Sequence, residues 1–164
     1  LTKPTGLPYF GFDIARNLEV REKDGSIYFY ILDGFGVIHS DDPDFERGEL
    51  PWFSEDRAIE LEPDPTSDGW LMMDTFGTIY FSEHEFTDDI RFAPDYVNDR
   101  PMRGMVRFDD ETTVMLDFYG GRHTNPYYPA ENLIQGLPLG FYFPGWEIIW
   151  DLETVPAEFV PQSN

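Results

Sequence analysis

The 164 residues carry 32 acidic against 11 basic side chains, for a formal charge of −21 and a pI near 4.1, and include no cysteine. Such a surface repels phosphate backbones and anionic bilayers, which excludes nucleic-acid binding and membrane insertion and favours cations and basic partners. The missing thiols remove disulfides, thiolate metal sites and cysteine nucleophiles, while 41% hydrophobic and 17% aromatic content places the charge on a folded body.

From the N-terminus, an aromatic-rich lead-in from Pro8 to Asp13 runs into a strand predicted over 14–20. Asp24-Gly25 then has the signature of a tight hairpin, and a second strand follows over 27–32. Asp33-Gly34-Phe35-Gly36 forms a turn into a short third strand over 37–40, and Asp41-Asp42-Pro43-Asp44 makes an acidic connection. The series then restarts. Pro51-Trp52-Phe53 leads to Asp56, a strand over 58–61, Asp68-Gly69, a strand over 70–73, Asp74-Thr75-Phe76-Gly77 and a strand over 78–81. Residues 83–89 form a second acidic loop with room for an outer edge strand. A third passage runs from Pro94 and Asp99 through strands over 102–108 and 113–116 to Asp117-Phe118-Tyr119-Gly120 and a strand over 121–124. Pro126, Pro129, Gly136 and Pro138 mark a longer loop before a fourth opening strand over 147–152.

The chain therefore repeats with a period of about 40–45 residues, which points to a ring or stack of one supersecondary unit. The expected division is a single repeat domain over 1–164, with units at 8–50, 51–93 and 94–139, a partial unit at 140–155 and a tail at 156–164. The expected fold is all-β. No stretch keeps a helical period, and a unit of this size with three or four antiparallel strands matches a β-propeller blade. About three blades and one further strand make a ring that is partial or completed by another chain. A β-trefoil is the alternative, although a threefold trefoil has no use for the fourth opening strand.

Residues that recur in every unit are read as geometry. These are Asp13, Asp56 and Asp99 before the first strands, Asp33, Asp74 and Asp117 at the turns, and the turn glycines Gly36, Gly77 and Gly120. The glycines suit a φ > 0 position that a Cβ would penalise, and the aspartates can accept backbone N–H bonds across the turn. His39 and His123 share one repeat position with Tyr80, as expected for a half-buried polar ring at a strand end. His84 stands in an acidic loop with no second histidine at ligand spacing. With 32 acids, no carboxylate pair is informative by itself as a glycosidase pair.

Calcium is the cofactor the acidic loops would suit, through Asp41, Asp42, Asp44, Asp88, Asp89, Asp109 and Asp110, although none has the spacing of a known calcium loop. Trp52, Trp70, Tyr127, Tyr128 and Trp150 are candidates for stacking on sugars or for packing between units.

The pattern resembles the blades of a bacterial β-propeller repeat reading Gly-Trp-Asp-Ile-Ala-Arg, a strand, Asp-Gly, a strand, then Leu-Asp-Gly-aromatic-Gly-Gly-Ile-His. The first unit keeps Gly11, Asp13, Ile14, Ala15, Arg16, Asp24, Gly25, Leu32, Asp33, Gly34, Gly36, Ile38 and His39; the last keeps Gly145, Trp146 and Ile148. Thr75 and Phe118 depart from it where the first unit has Gly34. The resemblance implies a fold and no particular reaction.

The function expected is a non-enzymatic structural or protein-interaction module. It would assemble with copies of itself or complete a larger propeller, with Trp146, Ile148 and Trp150 at the joint. The alternative is a carbohydrate-active hydrolase or carbohydrate-binding domain with calcium-stabilised loops. The chain opens at Leu1 without a methionine, which suggests a removed leader and a location outside the cell or on its surface. The cytoplasm of a halophile is the alternative.

Overall fold

The computed structural model describes residues 7, 10, 11, 13–65, 67–83, 90–91, 102–107, 113–118 and 122–125. These form β-strands and no helix. β1 (Ala15–Lys23), β2 (Ser26–Asp33) and β3 (Ile38–Ser40) make the first antiparallel sheet. β4 (Ala58–Pro63), β5 (Trp70–Asp74), β6 (Thr78–Phe81) and β7 (Ile90–Arg91) make the second, and β8 (Met102–Arg107), β9 (Thr113–Asp117) and β10 (Arg122–Asn125) the third. The short β7 is the outer edge strand expected after the second acidic loop. Each sheet is a simple meander in chain order.

The repeat holds in the backbone register as well as in the letters. Ala15 pairs with Asp33, Ala58 with Asp74 and Met102 with Asp117, so the turn aspartate always faces the first residue of its unit's first strand. A bulge follows at the same place each time, between Ala15 and Asn17, Ala58 and Glu60, and Met102 and Gly104. Recurring bulges of this kind are built-in features that redirect a strand.

Two apolar layers join the three sheets. Tyr30, Leu32 and Ile38 of the first sheet pack with Ala58, Leu61, Trp70, Met72 and Tyr80 of the second. Leu71, Met73, Ile79 and Phe81, on the opposite face of the second sheet, pack with Met102, Met105 and Met115 of the third. The unbroken apolar run Trp70-Leu71-Met72-Met73 follows from this, since a strand covered on both faces does not alternate. The first strands are neighbours too: β1 touches β4, and β4 touches β8.

Asp24 and Gly25 both have positive φ, 53° and 74°, as a two-residue type I′ hairpin requires. Asp68-Gly69 does not repeat that turn. Here β4 stops at Pro63 and Pro65 follows, so the chain closes a wider loop in which the Asp64 N–H donates to the Gly69 carbonyl at 3.0 Å. Gly69 has no positive φ; its missing Cβ leaves room for the Ser82 hydroxyl, which would lie 2.7 Å away.

Candidate functional site

The turn aspartates Asp33 and Asp74 each bond two backbone N–H groups and a ring. Asp33 Oδ1 accepts the Phe35 and Val37 N–H groups, both at 3.0 Å, while its Oδ2 lies 3.0 Å from Nε2 of His39. Asp74 repeats this: Oδ1 accepts Phe76 and Thr78 N–H at 2.9 Å, and Oδ2 accepts the Tyr80 hydroxyl at 2.9 Å. Asp74 also takes Nε of Arg57 at 2.9 Å. In the third unit His123 Nε2 lies 3.2 Å from Asp117 Oδ2. An Asp–His pair can orient an imidazole for proton transfer. In the second unit, however, a phenol makes the same bond, and burial followed by the Asp74 carboxylate pushes Tyr80 up to about 12. The feature common to the three units is therefore a ring at this position bonded to the turn aspartate.

The turns of the first two units also fasten each of them to the next. The Gly34 N–H donates to the Ile14 carbonyl at 2.9 Å, and the Gly34 carbonyl accepts the N–H groups of Arg57 and Ala58 at 2.7 and 2.9 Å. Thr75 repeats the joint: its N–H donates to the Arg57 carbonyl at 2.9 Å, and its carbonyl accepts the Met102 N–H at 3.1 Å. A Cβ on Gly34 would fall 1.9 Å from Oδ1 of Asp56, which is held there by the Arg16 guanidinium at 3.0 Å. That pair, with the Asp56 hydrogen bond as the larger contribution and burial opposing it, raises Arg16 above its ordinary pKa. Gly36 and Gly77 take the positive φ expected of them, 80° and 77°.

Two of the repeated positions, Asp13 and Asp56, have different surroundings from those of the turn aspartates. Asp13 is exposed and lies 3.4 Å from Arg16, and Asp56 joins the same guanidinium from the second unit. Asp99 and Gly120 lie outside the described residues, as do His84, Asp88, Asp89, Asp109, Asp110, Tyr127, Tyr128, Trp146, Ile148 and Trp150.

A cleft of about 600 Å³ opens where the β1–β2 hairpin end meets the second sheet, lined by Arg21, Lys23, Asp42, Asp44, Asp68 and Trp70 among others. Trp70 is no open stacking platform: Tyr30 lies 4.5 Å from it between ring centroids, and the Arg21 guanidinium sits 4.8 Å over its ring. Of the two described tryptophans Trp52 is the exposed one, with the Arg47 guanidinium 4.6 Å over it.

In the acidic connection, Asp41 Oδ1 accepts the Phe29 N–H at 2.8 Å. Asp42 accepts the Asp44 N–H at 2.9 Å and the Tyr30 hydroxyl at 2.8 Å, with Lys23 Nζ at 3.6 Å. Burial alone would push Asp42 up; the Asp44 N–H, the Tyr30 hydroxyl and Lys23 outweigh it and hold the carboxyl below its usual pKa. These carboxylates organise the loop and tie it to β2.

A carboxylate group that sequence reasoning did not single out comes together on the neighbouring first strands. Glu19 of β1 and Glu60 and Glu62 of β4 bring one oxygen each within 4.8 Å of the others. Glu60 is buried and accepts the Asn17 amide. Asn17 and Glu60 occupy equivalent repeat positions, and so do Glu19 and Glu62, so the aligned repeat held the signal that they would meet.

The chain matches no family model, no curated protein and no solved structure.

Proposed function

We propose that the chain is a non-catalytic scaffold of propeller-type blades that works as a protein-interaction module. One observation carries the reading: the turn aspartates of the first two units are taken up by the architecture. The turn aspartates bond backbone N–H groups and a ring at the end of the third strand, and the turn itself fastens one unit to the next. The propeller arrangement is supported by three separate meanders that stack face to face with their first strands adjacent. In a trefoil, strands of different units would pair in a common barrel; among the described residues the sheets stay separate. The strongly negative surface favours basic partners over acidic ones.

The competing reading is a carbohydrate-active hydrolase, for which Glu19, Glu60 and Glu62 are the carboxylate group that the described residues offer. A panel of glycosides incubated with the chain and with Glu19→Gln, Glu60→Gln and Glu62→Gln variants decides between them. The scaffold reading expects no turnover above background in any sample. Hydrolysis by the parent that falls by a hundredfold or more in one variant would replace it with the hydrolase reading.

A further inference from the structure

With no cysteine in the chain, its redox-active sulfur is the thioether of five methionines, Met72, Met73, Met102, Met105 and Met115, and all five are fully buried. Their distribution is uneven. Met73, Met102, Met105 and Met115 lie in the layer between the second and third sheets, and Met72 lies in the layer between the first and second. The repeat register compares these two joints position by position. Leu32, Ala58 and Leu61 of the first joint correspond to Met73, Met102 and Met105 of the second, and Met72 corresponds to Met115.

The second joint is also less tightly fastened. In the first, Tyr30 lies 4.5 Å from Trp70 between ring centroids, Arg16 reaches Asp56, and the Asn17 amide reaches Glu60. In the second, Leu71 and Thr113 stand in place of the two rings, and Ile59 in place of Arg16. Glu60 there is matched with Gly104, which has no side chain to offer. Arg107 Nε and Nη1 and Thr113 Oγ1 are buried without a hydrogen bond, with Asp64 Oδ1 3.8 Å from that Nε. Stranded polar atoms and flexible thioether packing both make the sheets easier to part.

We propose that the joint between the second and third sheets is a peroxide-sensitive latch, whose four methionines are oxidised when it opens and then hold it open. Leu18, at the repeat position of Leu61 and Met105, shows the exposure that follows: with no sheet packed on it, it is 56% exposed. In each methionine the sulfur lone pair takes one oxygen of hydrogen peroxide, the O–O bond breaks, and the other oxygen leaves as water. Sulfur loses two electrons and the peroxide gains them. The resulting S=O dipole cannot re-enter an apolar layer without giving up its hydrogen bonds to water. The layer therefore re-forms only when a sulfoxide reductase removes the oxygen.

Hydrogen peroxide added to the full chain in native buffer, with each sulfur followed by peptide mass spectrometry, tests it. Met73, Met102, Met105 and Met115 should oxidise as a group, about tenfold or more faster than Met72, and all five at one rate in urea. In the oxidised chain the amides of β8 and β9 should exchange with deuterium about tenfold or more faster than before, while those of β2 keep their protection. Methionine sulfoxide reductase should restore the original exchange. A variant with Met73→Leu, Met102→Leu, Met105→Leu and Met115→Leu, which keeps the packing apolar and close in volume, should hold β8 and β9 protected at the same peroxide dose. Should that variant fail to fold, the parent chain still decides, because Met72 and Met115 are equivalent positions in the two joints. Equal native rates at Met72 and Met115 would overturn the proposal, and so would unchanged exchange in β8 and β9 once all four sulfurs are oxidised.

Discussion

The first and second units share register, bulge and turn, yet they hold those features in different surroundings. In the second unit Asp74 is fully buried and neutralised by Arg57, and both faces of its sheet are covered. In the first unit, Asp33 bonds a half-exposed histidine and one sheet face lies open. The difference shows that the local turn chemistry forms the unit, and that burial depends on which neighbour stacks on it. A turn can be built alone, but a core needs the next sheet.

The largest effect should come from removing the buried carboxylate. Asp74→Ala strands two N–H groups, a guanidinium and a phenol, and should cost about 3–5 kcal/mol by urea denaturation. Asp33→Ala, with fewer partners and one of them half-exposed, should cost about 2 kcal/mol. Equal losses would mean that Arg57 and Tyr80 add nothing to the second turn.

Next comes the joint. Gly34→Ala places a methyl group in the space of the Asp56 carboxylate and should cost about 1–3 kcal/mol. Thr75→Ala, at the same step of the next joint, should stay within about 0.5 kcal/mol. The sequence presented the Gly34-to-Thr75 change as a departure from the repeat; the structure gives it a cause in the Arg16–Asp56 pair, which crosses from one unit into the next.

That example marks what was legible. The period, the strand meanders, the positive-φ glycines at positions 36 and 77 and the bonding of the turn aspartates all follow from local chemistry, which repeats with the letters. Asp68-Gly69 carries the letters of a tight turn but does not form one, because Pro63 and Pro65 end the strand earlier than a two-residue hairpin allows. The Glu19, Glu60 and Glu62 group was not foreseen because it arises between units, where side chains some 40 residues apart meet. Only the equivalence of Asn17 with Glu60 hinted at it.

The smallest effect concerns alkali. Tyr80 is raised to about 12 against an unfolded value of about 10, so the stability it contributes is complete below pH 10 and is lost as pH climbs through 12. The melting temperature should fall over that window, and Tyr80→Phe should flatten part of the slope. Tyr30, raised first by burial and then by Asp42, should retain the remainder. An unchanged slope in Tyr80→Phe would mean that its phenol ionises no later in the folded chain than in the unfolded one.

The central claim is that one repeat position is core in the second unit and surface in the first. Urea denaturation of Leu61→Ala and Leu18→Ala, at concentrations where the chain is monomeric, measures it directly. The account predicts a loss of about 2–5 kcal/mol for Leu61→Ala and under about 0.5 kcal/mol for Leu18→Ala. Equal losses at the two positions would contradict it, because Leu18 would then be buried within its own chain as deeply as Leu61.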